Sequence, residues 1–140
     1  MANTDQRPNL DQKRAAFAWK SVEAAKLKIE KHNEDHKNSK DYKDYKNLAK
    51  GAPAMIMNNG LMQTLAFFRS KGKDHKGEGK WDHHDLLLNN LIVWLHKQCA
   101  YPESYKQLME KLFDEKSSNY RRATEESMHL LRWLRQFADS

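Results

Sequence analysis

The chain has 140 residues, 31% of them charged and 39% hydrophobic, with a formal net charge of +6. This composition suits one soluble globular domain large enough to bury a core unaided, and excludes a disordered chain or a repetitive fibre. The single cysteine, Cys99, excludes an internal disulfide framework and a CxxC metal knuckle.

The opening MANTDQRPNLDQKR has no apolar signal-peptide core, and the longest apolar run, around Leu86 to Leu95, is broken by Asn89 and Asn90. It falls short of the ~20 residues a membrane helix needs, so a cytoplasmic protein without a membrane partner is expected. Residues 1–80 carry 17 Lys/Arg against 10 Asp/Glu, and residues 81–140 carry 8 against 9. A basic first part suits a polyanionic partner, although solvated helix faces are the commoner source of such an excess.

Ala15, Ala18, Trp19, Val22, Ala25 and Ile29 keep the i, i+3, i+4 spacing of one helix face, so the first helix is expected over about 10–36, capped by Asn9 or Asp11. A second is expected over about 40–50, with Tyr42, Tyr45, Leu48 and Ala49 inward and Gly51 as its stop. Pro53 suits the first turn of a third, 53–71. Its apolar face would hold Ile56, Met57, Gly60, Leu61, Thr64, Leu65, Phe67 and Phe68, with Gly60 marking a tight helix crossing.

Residues 70–85, SKGKDHKGEGKWDHHD, read as a loop, flexible over about 72–84. Leu87, Leu88, Leu91, Ile92, Trp94 and Leu95 mark a fourth helix ending near Gln98, and Pro102 opens a fifth with Tyr105, Leu108, Met109 and Leu112. Ser117 or Ser118 would cap a sixth, striped by Tyr120, Ala123, Thr124, Ser127, Leu130, Leu131, Leu134, Phe137 and Ala138. No strand pattern is present. The expected fold is all-α: one domain, residues 1–140, built as a bundle of about six helices.

Chemical motifs are sparse. His32 with His36, and His83 with His84, form pairs but lack HExxH or another strong ligand pattern, so they read as solvated histidines and no metal or cofactor is expected. Cys99 follows His96 by three residues without an announced oxyanion site, which suits an inert thiol. Lys37, Lys40, Lys43, Lys46 and Lys50 form a ridge partly neutralised by Asp41 and Asp44, which reads as a solvated helix face. On the sixth helix Trp133 falls beside Arg122 and Glu126, away from the leucine stripe. It is either half-covered by another part of the fold or part of a protein interface.

Two segments are specific: LAKGAPAMIMNNGLMQTLAFFRSKGK, residues 48–73, and YRRATEESMHLLRWLRQFA, residues 120–138. Pro53, the NGLxQTLAF run from Asn59 to Phe67, the SKGK tail, Tyr120 with Arg121, Ala123 with Thr124, and the final WLxxFA strongly resemble the Cmr-type small subunit of type III-B CRISPR RNA-guided effector complexes. The resemblance covers about a third of the chain, and the helix order and length agree with it; the loop over 72–84 departs most.

That resemblance implies a non-catalytic subunit stacking head to tail in an antiviral ribonucleoprotein. Its partners would be the backbones of the crRNA and target RNA, the backbone and large Cmr subunits, and further copies of itself. Lys50, Asn59, Gln63, Arg69, Lys71, Lys73 and Arg121 are the candidate RNA contacts, and Arg122, Glu126 and Trp133 the candidate protein interface. Asn59 and Gln63 serve equally well as packing or capping residues. A basic helical DNA-binding regulator is the alternative, against which no exposed helix-turn-helix reading face stands out. A ribonuclease would need an acid/base pair that the sequence does not offer.

Overall fold

Helix α1, Leu10–Glu30, starts on a reciprocal cap. The side-chain oxygen of Asn9 accepts the Gln12 backbone N–H, and that of Gln12 accepts the Asn9 N–H, both at 2.8 Å. The computed structural model describes residues 7–30, 40–74 and 81–140. The expected continuation of α1 to residue 36, with His32 and His36, and Lys37 of the lysine ridge lie outside the described residues.

Helix α2, Lys40–Asn59, runs straight through Gly51 and Pro53, where the local signals predict a stop and a new start. An internal proline costs ~3 kcal/mol. Packing outweighs it, because Tyr42, Tyr45, Ala49, Ala52 and Ile56 form one buried stripe spanning the proline. Each large side chain so buried contributes roughly 1.5–3 kcal/mol.

The break comes instead at Gly60, whose φ of 88° and ψ of 164° only glycine adopts readily. Its N–H still closes the last turn of α2 on the Ile56 carbonyl, and its carbonyl accepts the N–H and hydroxyl of Thr64. Helix α3 then covers Leu61–Lys71. Gly60 is thus a joint and not the expected tight crossing: a Cβ there would meet only the Tyr120 hydroxyl, at 3.9 Å.

Helix α4, His83–Cys99, begins earlier than expected, so His83 and His84 belong to it and not to the loop. Asp82 and Asp85 form a capping box at its start. Asp85 is buried, and its Oδ2 also accepts the N–H groups of Lys73 and Asp74, at 2.8 and 3.2 Å. One carboxylate therefore ties the exit of α3 to the entry of α4.

Helix α4 ends on Ala100, a left-handed residue with φ 59°. Helix α5, Tyr105–Phe113, is capped by Ser104, and Pro102 precedes it instead of opening it. Neither Ser117 nor Ser118 caps α6, Ser117–Asp139. Glu115 serves that entry instead, accepting from the Lys116 N–H and the Asn119 side chain.

Helix α6 is the centre of the bundle, packed against α1, α2 and α4, while α3 lies on α2 and α4. Its Ala123, Ser127, Leu130, Leu131, Leu134 and Ala138 are buried, as the stripe predicts. Three expected core residues fall outside: Trp19 is 51% exposed, Met57 77% and Phe67 38%. The helical bundle is the expected all-α fold, with six helices among the described residues. No helix among those residues is long and apolar enough to cross a membrane.

Candidate nucleic-acid interface

The two specific segments meet at the Gly60 joint. The first N–H groups of a helix lack partners within it, and the Tyr120 hydroxyl oxygen accepts one of them, that of Met62, at 3.0 Å. Arg121, exposed on α6, follows directly.

Asn59 and Gln63 flank the joint, both exposed. Despite the break between them they line one open groove of about 500 Å³, together with Met55, Ala66, Phe67 and Ser70. Lys71 stands beside it, its Nζ 5.8 Å from the Phe67 ring centre.

The other basic candidates lie apart. Arg69 turns to another cleft of about 160 Å³, with Trp81, Asp85, Asn89 and Glu103, and its guanidinium sits 5.4 Å from the Tyr105 ring centre. Lys73 is exposed just beyond α3, its backbone held by Asp85. Lys50 precedes Asn59 by nine residues, about 180° around a helix. It lies toward Asp139, which pairs with Lys46 at 3.1 Å. Lys46 is thus ion-paired and not simply a solvated member of the lysine ridge.

The expected interface trio does not form an exposed patch. Glu126 is only 5% exposed: it accepts from the Arg14 Nε at 3.0 Å, forms a further close contact with Arg14 Nη2, and accepts the Trp94 indole N–H at 3.1 Å. Burial pushes the Glu126 carboxyl up, but the hydrogen bonds from Arg14 and Trp94 and the charge of Arg14 more than offset this, leaving it below the ordinary value. Helical spacing alone could not reveal this, because the partners lie on α1 and α4. Glu126 is a structural link among three helices.

Arg122 is exposed and donates to the Gln98 carbonyl. Trp133 is half-buried: its indole N–H donates to Asp11 at 3.0 Å and holds that carboxyl below its ordinary range. It stacks on Phe137 at 5.4 Å, and Trp19 meets the same ring edge-on at 5.2 Å. Trp19 is thus an exposed aromatic that the sequence places in the core.

His83 and His84 are half-buried and not freely solvated. With Asp82 they bring one possible ligand atom each to within 4.8 Å of the others. Asp82 is already engaged, capping α4 through Oδ1 and contacting His84 Nδ1 at 3.3 Å through Oδ2. Cys99 is half-buried, and burial pushes its thiol up, toward the unreactive protonated form.

A crystal structure of a CRISPR-associated Cmr5 family protein from Thermus thermophilus has the same fold, with a TM-score of 0.67 at 23% identity, covering 95% of this chain and 96% of that one. The family model for the CRISPR-associated protein described as Cas_Cmr5 matches residues 10–140, both specific segments included. On that match the chain belongs to the CRISPR-associated Cmr5 family, that of the Cmr small subunit.

Proposed function

We propose that this chain is a non-catalytic subunit of a type III-B effector in antiviral defence, stacking head to tail and offering a basic path to the crRNA and target RNA backbones. The observation that carries this reading is the family match over nearly the whole chain. Exposed Lys71, Lys73 and Arg121 support it, as separated cations that make point contacts to phosphates. Lys50 and Arg69 are weaker members of such a path, because Lys50 faces Asp139 and Arg69 shares its cleft with carboxylates.

For stacking, the aromatic patch of Trp19, Trp133 and Phe137 replaces the trio containing Glu126 as one side of a copy-to-copy contact. Aromatic residues are enriched in such interfaces. A single patch is small, so the filament of neighbouring subunits would supply avidity by holding copies at high effective concentration.

Purification of the tagged chain from its host, with identification of bound proteins and RNA, tests the reading. Recovery of Cmr subunits with CRISPR RNA is the expected result; recovery of a single duplex DNA site instead would favour the regulator.

A further inference from the structure

We propose that the groove at the α2–α3 joint takes an unpaired RNA base; this rests on the RNA-binding reading above and names what one of its sites binds. The groove carries no fixed charge, being lined by Met55, Asn59, Gln63, Thr64, Ala66, Phe67 and Ser70. Its volume of about 500 Å³ lies in the range of small-ligand sites. Among the described residues no hydrogen bond engages the side chains of Asn59 or Gln63, whereas the Ser70 hydroxyl is spent on the Phe67 carbonyl. Two available amides therefore offer donors and acceptors together, the mixed pattern of a base edge.

Phe67 supplies the platform. Its neighbour Phe68 is fully buried, yet Phe67 remains 38% exposed, with His84 edge-on at 6.1 Å behind it. Single-stranded RNA is recognised by stacking splayed bases on aromatic rings while amides read their edges. Lys71, 5.8 Å from the ring centre, adds a cation where the attached phosphate would run. A base inside a duplex cannot enter, because its Watson–Crick edge is paired and both its faces are stacked on neighbouring pairs. The cleft around Arg69 makes the contrast: Asp74, Asp85 and Glu103 line it and repel a phosphodiester.

The test titrates the full chain with a single-stranded RNA bearing one 2-aminopurine and with a blunt duplex of equal length. Binding should quench 2-aminopurine in the single strand. Phe67→Leu, which keeps apolar packing but removes the aromatic face, should abolish the quench and weaken single-strand binding about tenfold, with duplex binding and the salt slope unchanged. Asn59→Ala with Gln63→Ala should reduce preference among bases while the quench persists. Thermal melting checks that each variant is folded. If a folded Phe67→Leu binds both RNAs as the parent does, the groove assignment falls and the backbone path stands. If it binds RNA normally but recovers fewer Cmr subunits, the groove is a protein-docking surface and the proposal falls. Failure of the parent chain to bind either RNA overturns both readings.

Discussion

A Cβ on Gly72 would lie 2.0 Å from Oδ1 of Asp85, so the absence of a side chain at the end of α3 is what admits the carboxylate that closes the α3–α4 corner. Asp85→Ala strands N–H groups that it now satisfies on Lys73, Asp74 and Asp82, and should cost about 1–3 kcal/mol. Gly72→Ala should destabilise by expelling the same carboxylate. Because both act on one contact, urea unfolding of the double variant should show less than the sum of the two losses. Simple additivity would mean that the two residues are not coupled.

Glu126 links α1, α4 and α6 through Arg14 and Trp94. Removing one partner of such a buried pair costs ~3–5 kcal/mol, and Arg14→Met should fall near the lower end because Arg14 retains some solvent contact. The pH dependence follows from the lowered Glu126 carboxyl. Its contribution is fully present above the ordinary value of 4.5 and is lost as pH falls through the lower folded value. Glu126→Gln should therefore lower stability at neutral pH and flatten its acid dependence, read by denaturation at pH 3 to 7.

Two glycines should respond with opposite signs to the same substitution. Gly51 is exposed inside α2 and a Cβ there meets nothing within 4 Å, so Gly51→Ala should stabilise by about 0.5–1 kcal/mol. Gly60→Ala should cost about 1–3 kcal/mol, since its backbone conformation is open essentially to glycine alone. Thermal melts of the two variants separate these effects.

Trp19 and Trp133 differ in how much of the fold depends on them. Trp19→Ser removes a half-exposed ring and its edge contact with Phe137, and should cost only about 0.5–1.5 kcal/mol of stability while lowering occupancy in the assembled complex. Trp133→Ala should lower both, because it also deletes the hydrogen bond to Asp11. Equal assembly by the parent and Trp19→Ser would remove the aromatic patch from the stacking surface.

RNA binding should weaken with salt in proportion to the phosphates neutralised. Replacing Lys71, Lys73 and Arg121 together by uncharged residues should reduce the salt slope by roughly one for each phosphate left without its cation. An unchanged slope would place the RNA path on another face.

The core stripes of α4 and α6 are legible because burial there repeats at helical spacing along contiguous sequence. The α2–α3 boundary is misread because Gly51 and Pro53 are strong local breakers, whereas the stripe that overrides them requires a partner helix distant in sequence. Glu126 and Asp85 look like ordinary surface acids for a related reason. Arg14 and the Lys73 and Asp74 N–H groups that satisfy them lie elsewhere along the chain, and periodicity carries no record of them. The candidate RNA residues enter through the family resemblance; their division between an uncharged groove, an acidic cleft and the Asp139 end of α2 emerges only from packing.

The bond from Arg14 to Glu126 spans 112 residues, and that from Trp133 to Asp11 spans 122. Helix α1 therefore finds its main docking surface on α6, a helix distant from it in sequence. Until α6 emerges, Ala18, Val22 and Ala25 have no α6 to cover them, and the nascent chain carries an amphipathic helix open to chaperones or to premature self-association. Its closure waits for α6, because a contact of such long sequence separation cannot form earlier.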